Sequence, residues 1–281
     1  MENVHRSTEK TTALPELQWF ETPLAATQED VLSPLAWEEL ACRQVGKGAT
    51  PILHLWRHPS ALVIGHRDRR LPYAPQAMER VRNAGTSVCV RPSGGAAVML
   101  DRGVLNLSLI LPNPQRAISL HEDFRLMAAL IADALVPWSG EAQTGEILGS
   151  FCPGDYDVSV RGRKFCGIAQ RRQAKAYIIT AFVMIEGSGT ERAQAVQHFY
   201  TEAAGDTSAG VQQQDYPRVN PATMGSLAEL AGVPSVEAYT ASLRRVVESR
   251  TAILPADGWL VQLEGLTEQM AALRERYDLQ V

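Results

Sequence analysis

Residues 150–172 read SFCPGDYDVSVRGRKFCGIAQRR. Arg161-Gly162 between two β-rich runs has the form of a two-residue hairpin turn, because glycine takes the positive φ such turns require. That turn pairs Lys164 with a residue near Ser159 and sends a second strand on toward Arg172. Cys152 lies before the hairpin in a Pro-Gly turn, so one thiol and one ammonium approach each other across two strands. A cysteine is nucleophilic only as thiolate, and a nearby cation or set of backbone N–H groups lowers its pKa. Cys152 and Lys164 therefore form a candidate nucleophile and its cation. Spacing alone favours the plainer reading, a small buried thiol and a solvated strand lysine, and leaves both open. Cys166, beside Phe165 and close to Ile168, has the setting of a packing thiol.

Downstream, residues 176–185 are apolar on both alternating faces, as in a central strand covered on both sides. Helical patterns follow at 191–203, 223–230, 235–248 and 266–277, with a polar Gly- and Gln-rich connection at 204–218. Residues 222–281 thus form a helical C-terminal segment. Upstream, 104–111 alternates, with Leu105, Leu107, Leu109 and Leu111 on one face and Asn106 and Ser108 on the other. Residues 87–91 run as a strand into Ser93-Gly94-Gly95, a turn whose backbone can approach a ligand closely and point N–H groups at an oxygen. The runs 52–56 and 61–65, separated by His58-Pro59, suit a hairpin or two adjoining strands. Helices are expected at 33–46, with Ser33 as N-cap and Pro34 at the first helical position, and at 75–83 and 121–135. Residues 1–14 read as a flexible tail before one domain spanning 15–281.

Composition narrows the function. The 281 residues are 45% hydrophobic and carry a net charge of −4, which provides a core but no general field for nucleic acid. Four cysteines, at 42, 89, 152 and 166, show neither CxxC nor metal spacing, and with no secretory signal they imply reduced thiols in a cytoplasm. The longest apolar run is about half of the roughly 20 residues a membrane span needs. Phosphate-loop, dinucleotide and zinc-protease motifs are absent, and none of His54, His58, His66, His121 and His198 sits in a recognisable Cys/His signature. Arg161, Arg163, Arg171 and Arg172 cluster in sequence around the hairpin, either as a solvated face or as a docking patch for an acidic protein.

The stretches LHLWRHPSALVIGHRD, VRPSGGAAVMLDRGVLNLSL, GDYDVSVRGRKFCGIAQRR, and HFY followed by YPRVNPATMGSLAEL make the chain, over about 20–230, resemble the lipoate ligase and octanoyltransferase superfamily, which shares its catalytic fold with biotin ligases. The resemblance implies an α+β fold, a mixed and largely antiparallel sheet flanked by helices. The motif from Ser150 to Asp157, with the following G-R-K-F-x-G-I-A-Q-R-R, resembles the amidotransferase branch, in which an octanoyl group moves from the glycine cleavage H protein to lipoyl domains of E2 subunits. By that resemblance Cys152 carries the acyl group, Lys164 holds the thiolate and moves a proton, and Arg91, Ser93, Gly94 and Gly95 belong to the acyl-binding site. Asn106 and Gly167 are further substrate contacts, and Val98, Leu105 and Leu107 are candidates for an apolar slot. No cofactor, metal, nucleic acid or membrane is implied, and a cytoplasmic monomer is expected. Val90 and Ala96 depart from the RRxSGGG pattern of ATP-dependent ligases, which weakens an adenylating reading. The alternatives are transfer from octanoyl-acyl carrier protein, ATP-dependent ligation, and non-catalytic binding of lipoyl domains.

Overall fold

The computed structural model describes residues 2–3, 14–113, 115, 119–205, 216–261 and 263–278. Its strands are β1 (Glu2–Asn3), β2 (Leu17–Glu21), β3 (Ile52–Trp56), β4 (Ser60–Ile64), β5 (Ser87–Val90), β6 (Val98–Asp101), β7 (Val104–Pro112), β8 (Ala142–Thr144), β9 (Val158–Val160), β10 (Arg163–Arg172), β11 (Ala176–Met184) and β12 (Ile253–Leu254). Its helices are α1 (Leu24–Thr27), α2 (Leu32–Val45), α3 (Ala74–Asn83), α4 (Leu120–Ala134), α5 (Gly189–Ala204), α6 (Leu227–Ala231), α7 (Val236–Glu248) and α8 (Leu266–Tyr277). The large sheet has the order β1-β8-β9-β10-β11-β7-β3-β2-β12, antiparallel except for the β3-β2-β12 edge. A small sheet, β5-β4-β6, packs beside it.

The hairpin expectation holds in detail. Arg161 and Gly162 turn at φ +52 and +72, and Lys164 pairs with Ser159. Both turn residues in the left-handed region match the twist of the flanking strands, which is why Gly162 follows Arg161. β11 stands at the centre of the large sheet, with β10 and β7 on either side. The four odd leucines of β7 all enter the core formed with α4 and α7, and the opposite face of the sheet looks toward α2 and the small sheet.

Several elements differ from the sequence expectation. β3 and β4 belong to different sheets, because the chain turns a corner at His58, whose Nδ1 accepts the Ser60 N–H at 3.1 Å. α2 begins at Leu32, two residues before the expected first helical position at Pro34, and Asp30 Oδ1 accepts the Leu32 N–H at 2.9 Å in place of a Ser33 cap. The pattern at 223–230 divides into a single turn at Pro221–Thr223 and α6, whose start is a Ser226–Glu229 capping box. At the N-terminus, β1 pairs with β8 and Leu14 is buried, while the remainder of the expected tail, residues 1 and 4–13, lies outside the described residues. Most of the 204–218 connection also lies outside them. Among the described residues no helix is long and apolar enough to cross a membrane.

Candidate active site

The turn after residue 150 is built for one side chain. Cys152 sits at φ +47, in the left-handed region that side-chain-bearing residues seldom adopt. Lys164, reaching up from β10, holds that turn. Its Nζ donates to the carbonyls of Phe151 at 2.9 Å and Cys152 at 2.6 Å, and pairs with Asp157 Oδ1 at 2.7 Å. Both partners of the ion pair are buried, at 0% and 1% side-chain exposure. An ammonium has three N–H donors, and these three acceptors take them. Lys164 therefore meets Cys152 at its carbonyl oxygen, where the sequence reading directs it to the sulfur. Burial pushes the Asp157 carboxyl above the ordinary range, and the Lys164 charge pulls it back.

The sulfur points instead at the 91–97 loop. Cys152 Sγ accepts the Ala96 N–H at 3.3 Å and lies 3.5 Å from Arg91 Nη2. Gly95 packs over it at φ +104, and a Cβ there would stand 2.9 Å from the sulfur and 3.3 Å from the Arg91 guanidinium. Gly95→Ala is expected to combine about 1–3 kcal/mol of backbone strain with a displaced sulfur, and to slow acyl capture by about 10²-fold. Single-turnover capture rates measure this, and a wild-type rate would show that the loop does not set the sulfur. A buried latch fixes the same loop from behind. Tyr200 Oη accepts the Ala97 N–H at 3.0 Å and donates to Asp68 Oδ1 at 2.9 Å, and Asp68 Oδ2 accepts the Gly65 N–H at 2.7 Å.

Cys152 stands on the wall of a cavity between the two sheets, about 690 Å³ including its open mouth. Its floor is a row of cross-strand partners, Gly167, Phe182, Asn106 and Trp56, from β10, β11, β7 and β3. Gly167 is required there, since a Cβ would come within 2.6 Å of the Phe182 ring. Val63, Val98 and Leu100 of the small sheet form the facing wall, and Leu35, Glu38 and Glu39 of α2 complete it. Arg91, Ser93, Asn106 and Gly167, singled out from the sequence, all line this one cavity with Cys152, and Gly94 and Gly95 form the adjoining turn. Of the three residues expected in an apolar slot, Val98 lines the cavity. Leu105 and Leu107 belong to the core on the other face of the sheet, as the two-residue period of β7 demands.

The four arginines expected as a docking patch are not brought together. The ten residues of β10 put Arg161 and Arg163 on the order of 25–30 Å from Arg171 and Arg172. Arg161 is exposed at the hairpin tip, while Arg163 donates to the Met224 carbonyl at 3.0 and 2.6 Å. Arg171 pairs with Glu39 at 2.8 Å and Arg172 with Asp123 at 2.7 Å. Asp157, Tyr200, Asp68 and Phe182 are site-building residues that sequence reasoning did not single out. Asp68, Asp157 and Tyr200 stood inside the quoted motifs, but nothing in their spacing names their partners.

The other three thiols are inert by placement. Burial, with Glu39 beside it, pushes the Cys42 thiol up to about 12, and burial raises Cys89 and Cys166 as well. Native-state alkylation at pH near 8 is expected to label Cys152 alone, as read by peptide mass mapping. Labelling of Cys42, Cys89 or Cys166 before unfolding would contradict this.

A two-sheet α+β domain with a cysteine over an inter-sheet cavity defines a catalytic domain of the lipoate-ligase type. The chain belongs to the lipoyl protein ligase A/B catalytic domain family, whose profile matches residues 30–247. It is 39% identical over 203 residues to octanoyl-[GcvH]:protein N-octanoyltransferase of Anoxybacillus flavithermus, covering 72% of each chain. It is 37% identical over 202 residues to lipoyl-[GcvH]:protein N-lipoyltransferase of Listeria monocytogenes, again with 72% of each covered. The fold is similar to a crystal structure of lipoate-protein ligase A bound with ATP, with TM-score 0.67, 18% identity, and 95% and 96% of the two chains covered. It is also similar to a bi-partite lipoate protein ligase from Thermoplasma acidophilum, with TM-score 0.66, 20% identity and 95% of each chain covered.

Proposed function

We propose that this chain is an acyltransferase moving an octanoyl group from the lysine of octanoylated glycine cleavage H protein to the lysine of lipoyl domains of E2 subunits, through a thioester on Cys152. The observation that carries the reading is the Cys152 sulfur set against the Ala96 N–H on the wall of an apolar cavity. The names of the curated relatives, with the H protein in each, support the donor.

Exchange of one lysine amide for another is close to thermoneutral, so no nucleotide is needed. The Cys152 sulfur bonds to the donor's carbonyl carbon, the C–N bond breaks, and the thiol's proton ends on the departing lysine amine. The acceptor amine then attacks the thioester, the C–S bond breaks, and the acceptor's proton returns to sulfur. An amide is a poor electrophile, so the carbonyl oxygen needs donors as it gains charge, each contributing about 3 kcal/mol in comparable sites. The N–H groups of the 93–95 turn, which adjoins the sulfur, are the donors this reading assigns. Lys164 and Asp157 hold the Cys152 turn in position. About six methylenes of the chain, buried at about 0.8 kcal/mol each, lie along Val63, Val98 and Leu100, with Arg91, Ser93, Asn106 and Gly167 around the reacting end.

Octanoylated H protein and octanoyl-acyl carrier protein offered side by side, each with an apo lipoyl domain and no ATP, test the proposal. Acceptor octanoylation from the H protein is expected. Transfer from the carrier protein alone would move the chain to a different donor class, and a requirement for ATP would make it a ligase.

A further inference from the structure

Arg91 presents a buried charge with no ion partner among the described residues. It is 7% exposed, and a guanidinium stays protonated at any working pH. A buried cation without a counter-ion is costly, so one is expected beside it. Among the described residues no carboxylate lies within ion-pair distance, and the side-chain hydrogen bond it makes is Nη2 to Cys152 Sγ, at 3.5 Å. Its Nε is buried and has no acceptor among the described residues, and Arg91 is one of the residues lining the cavity. The Lys164 ammonium, by contrast, is already committed to Asp157 and two carbonyls.

We infer that Arg91 is a catalytic residue: its Nη2 holds the Cys152 sulfur as thiolate, and its free Nε donor receives the acyl oxygen as that oxygen gains charge. The inference rests on the proposed role of Cys152 and names the group that activates it. One fork then serves both steps. The thiolate forms a C–S bond to the donor's carbonyl, the π electrons move onto the oxygen beside Nε, and the C–N bond breaks on collapse. The departing amine takes its proton from water at the open mouth, equivalent to the one released when the thiolate formed. Arg91 reaches this position because its backbone N–H is anchored to the Ile64 carbonyl at 3.0 Å, at the end of the small sheet. The titratable and charged groups around the pair are Tyr200, which feels the Cys152 charge, Asp68, which feels the Arg91 charge, the Lys164–Asp157 pair beneath the Cys152 backbone, and Glu38, Glu39 and Arg171 on the walls of the same cavity.

The test is the pH dependence of Cys152 alkylation by iodoacetamide, followed beside single-turnover acyl transfer, in wild type, Arg91→Gln and Arg91→Lys. Arg91→Gln is expected to move the alkylation midpoint up by about one pH unit or more and to lower transfer by about 10²-fold or more. Arg91→Lys, a single-headed cation, is expected to keep the midpoint near wild type while lowering transfer at least tenfold, roughly the value of the lost fork. An Arg91→Gln midpoint and rate equal to wild type would overturn the inference. Should Arg91→Gln fail to fold, full transfer by Arg91→Lys overturns it alone. Alkylation needs no acyl donor, so failure of the wild type to form an octanoyl adduct sinks the thioester reading while the midpoint still reports on Arg91.

Discussion

Cys152→Ala is expected to abolish octanoyl transfer, a loss of about 10⁴-fold or more, because Cys152 is the one thiol among the residues lining the cavity. Mixed with octanoylated H protein, the wild-type chain is expected to gain one octanoyl group by intact mass. Hydroxylamine removes it, as it does thioesters, and Cys152→Ala gains none. Cys166→Ala serves as the matched control. It removes a thiol carried by β10 and buried in the main core, so it is expected to keep the adduct at only a packing cost. Acceptor octanoylation by Cys152→Ala at the wild-type rate would mean direct transfer between the two lysines, and the thioester would have to be abandoned. Transfer in the wild type with no adduct under single-turnover conditions would have the same force.

Lys164→Met carries the largest expected effect on stability. It leaves the Asp157 carboxylate buried without its ion-pair partner and frees the Phe151 and Cys152 carbonyls. Breaking one side of a buried pair typically costs about 3–5 kcal/mol, which the urea midpoint reads at constant m-value. Asp157→Asn is expected to destabilise for the mirrored reason. Lys164→Met combined with Asp157→Asn should cost less than the two single changes summed, with a coupling of about 1–3 kcal/mol. Capture rates are expected to fall in both single variants, because the Cys152 backbone at φ +47 is held in place by the same ammonium. Additive effects in the double variant would show that the two side chains act independently, and an unchanged capture rate in Asp157→Asn would remove its positioning role.

Legibility in the sequence followed distance along the chain. Arg161-Gly162 encodes its turn locally, so the pairing of Lys164 with Ser159 could be counted from the turn alone. The period-2 leucines of β7 and the helical patterns of α4, α5, α7 and α8 are likewise properties of short windows, and they appear with their boundaries within two residues. The motifs at 91–95, 150–157 and 162–172 marked a single site, and they do converge on one cavity. Contacts between distant windows were not countable. Arg91 and Cys152 stand 61 residues apart and meet only because the small sheet packs across the large one. The docking arginines close in sequence are separated by the length of β10, and two of them are drawn to Glu39 and Asp123 from other helices.

The stretch from 150 to 172 therefore determined, by itself, the hairpin and the register of Lys164, since turn chemistry and strand period act over a few residues, while Cys152 became the favoured nucleophile only through the family resemblance of its motif. The tertiary structure decided which cation faces the sulfur. Lys164 arrives from beneath and is consumed by Asp157 and the turn's carbonyls, whereas Arg91 arrives across the inter-sheet cavity with no ion partner among the described residues. Side-chain partners in a buried site are set by packing between elements far apart in the chain, and a buried charge is most informative where that packing leaves it without an ion partner.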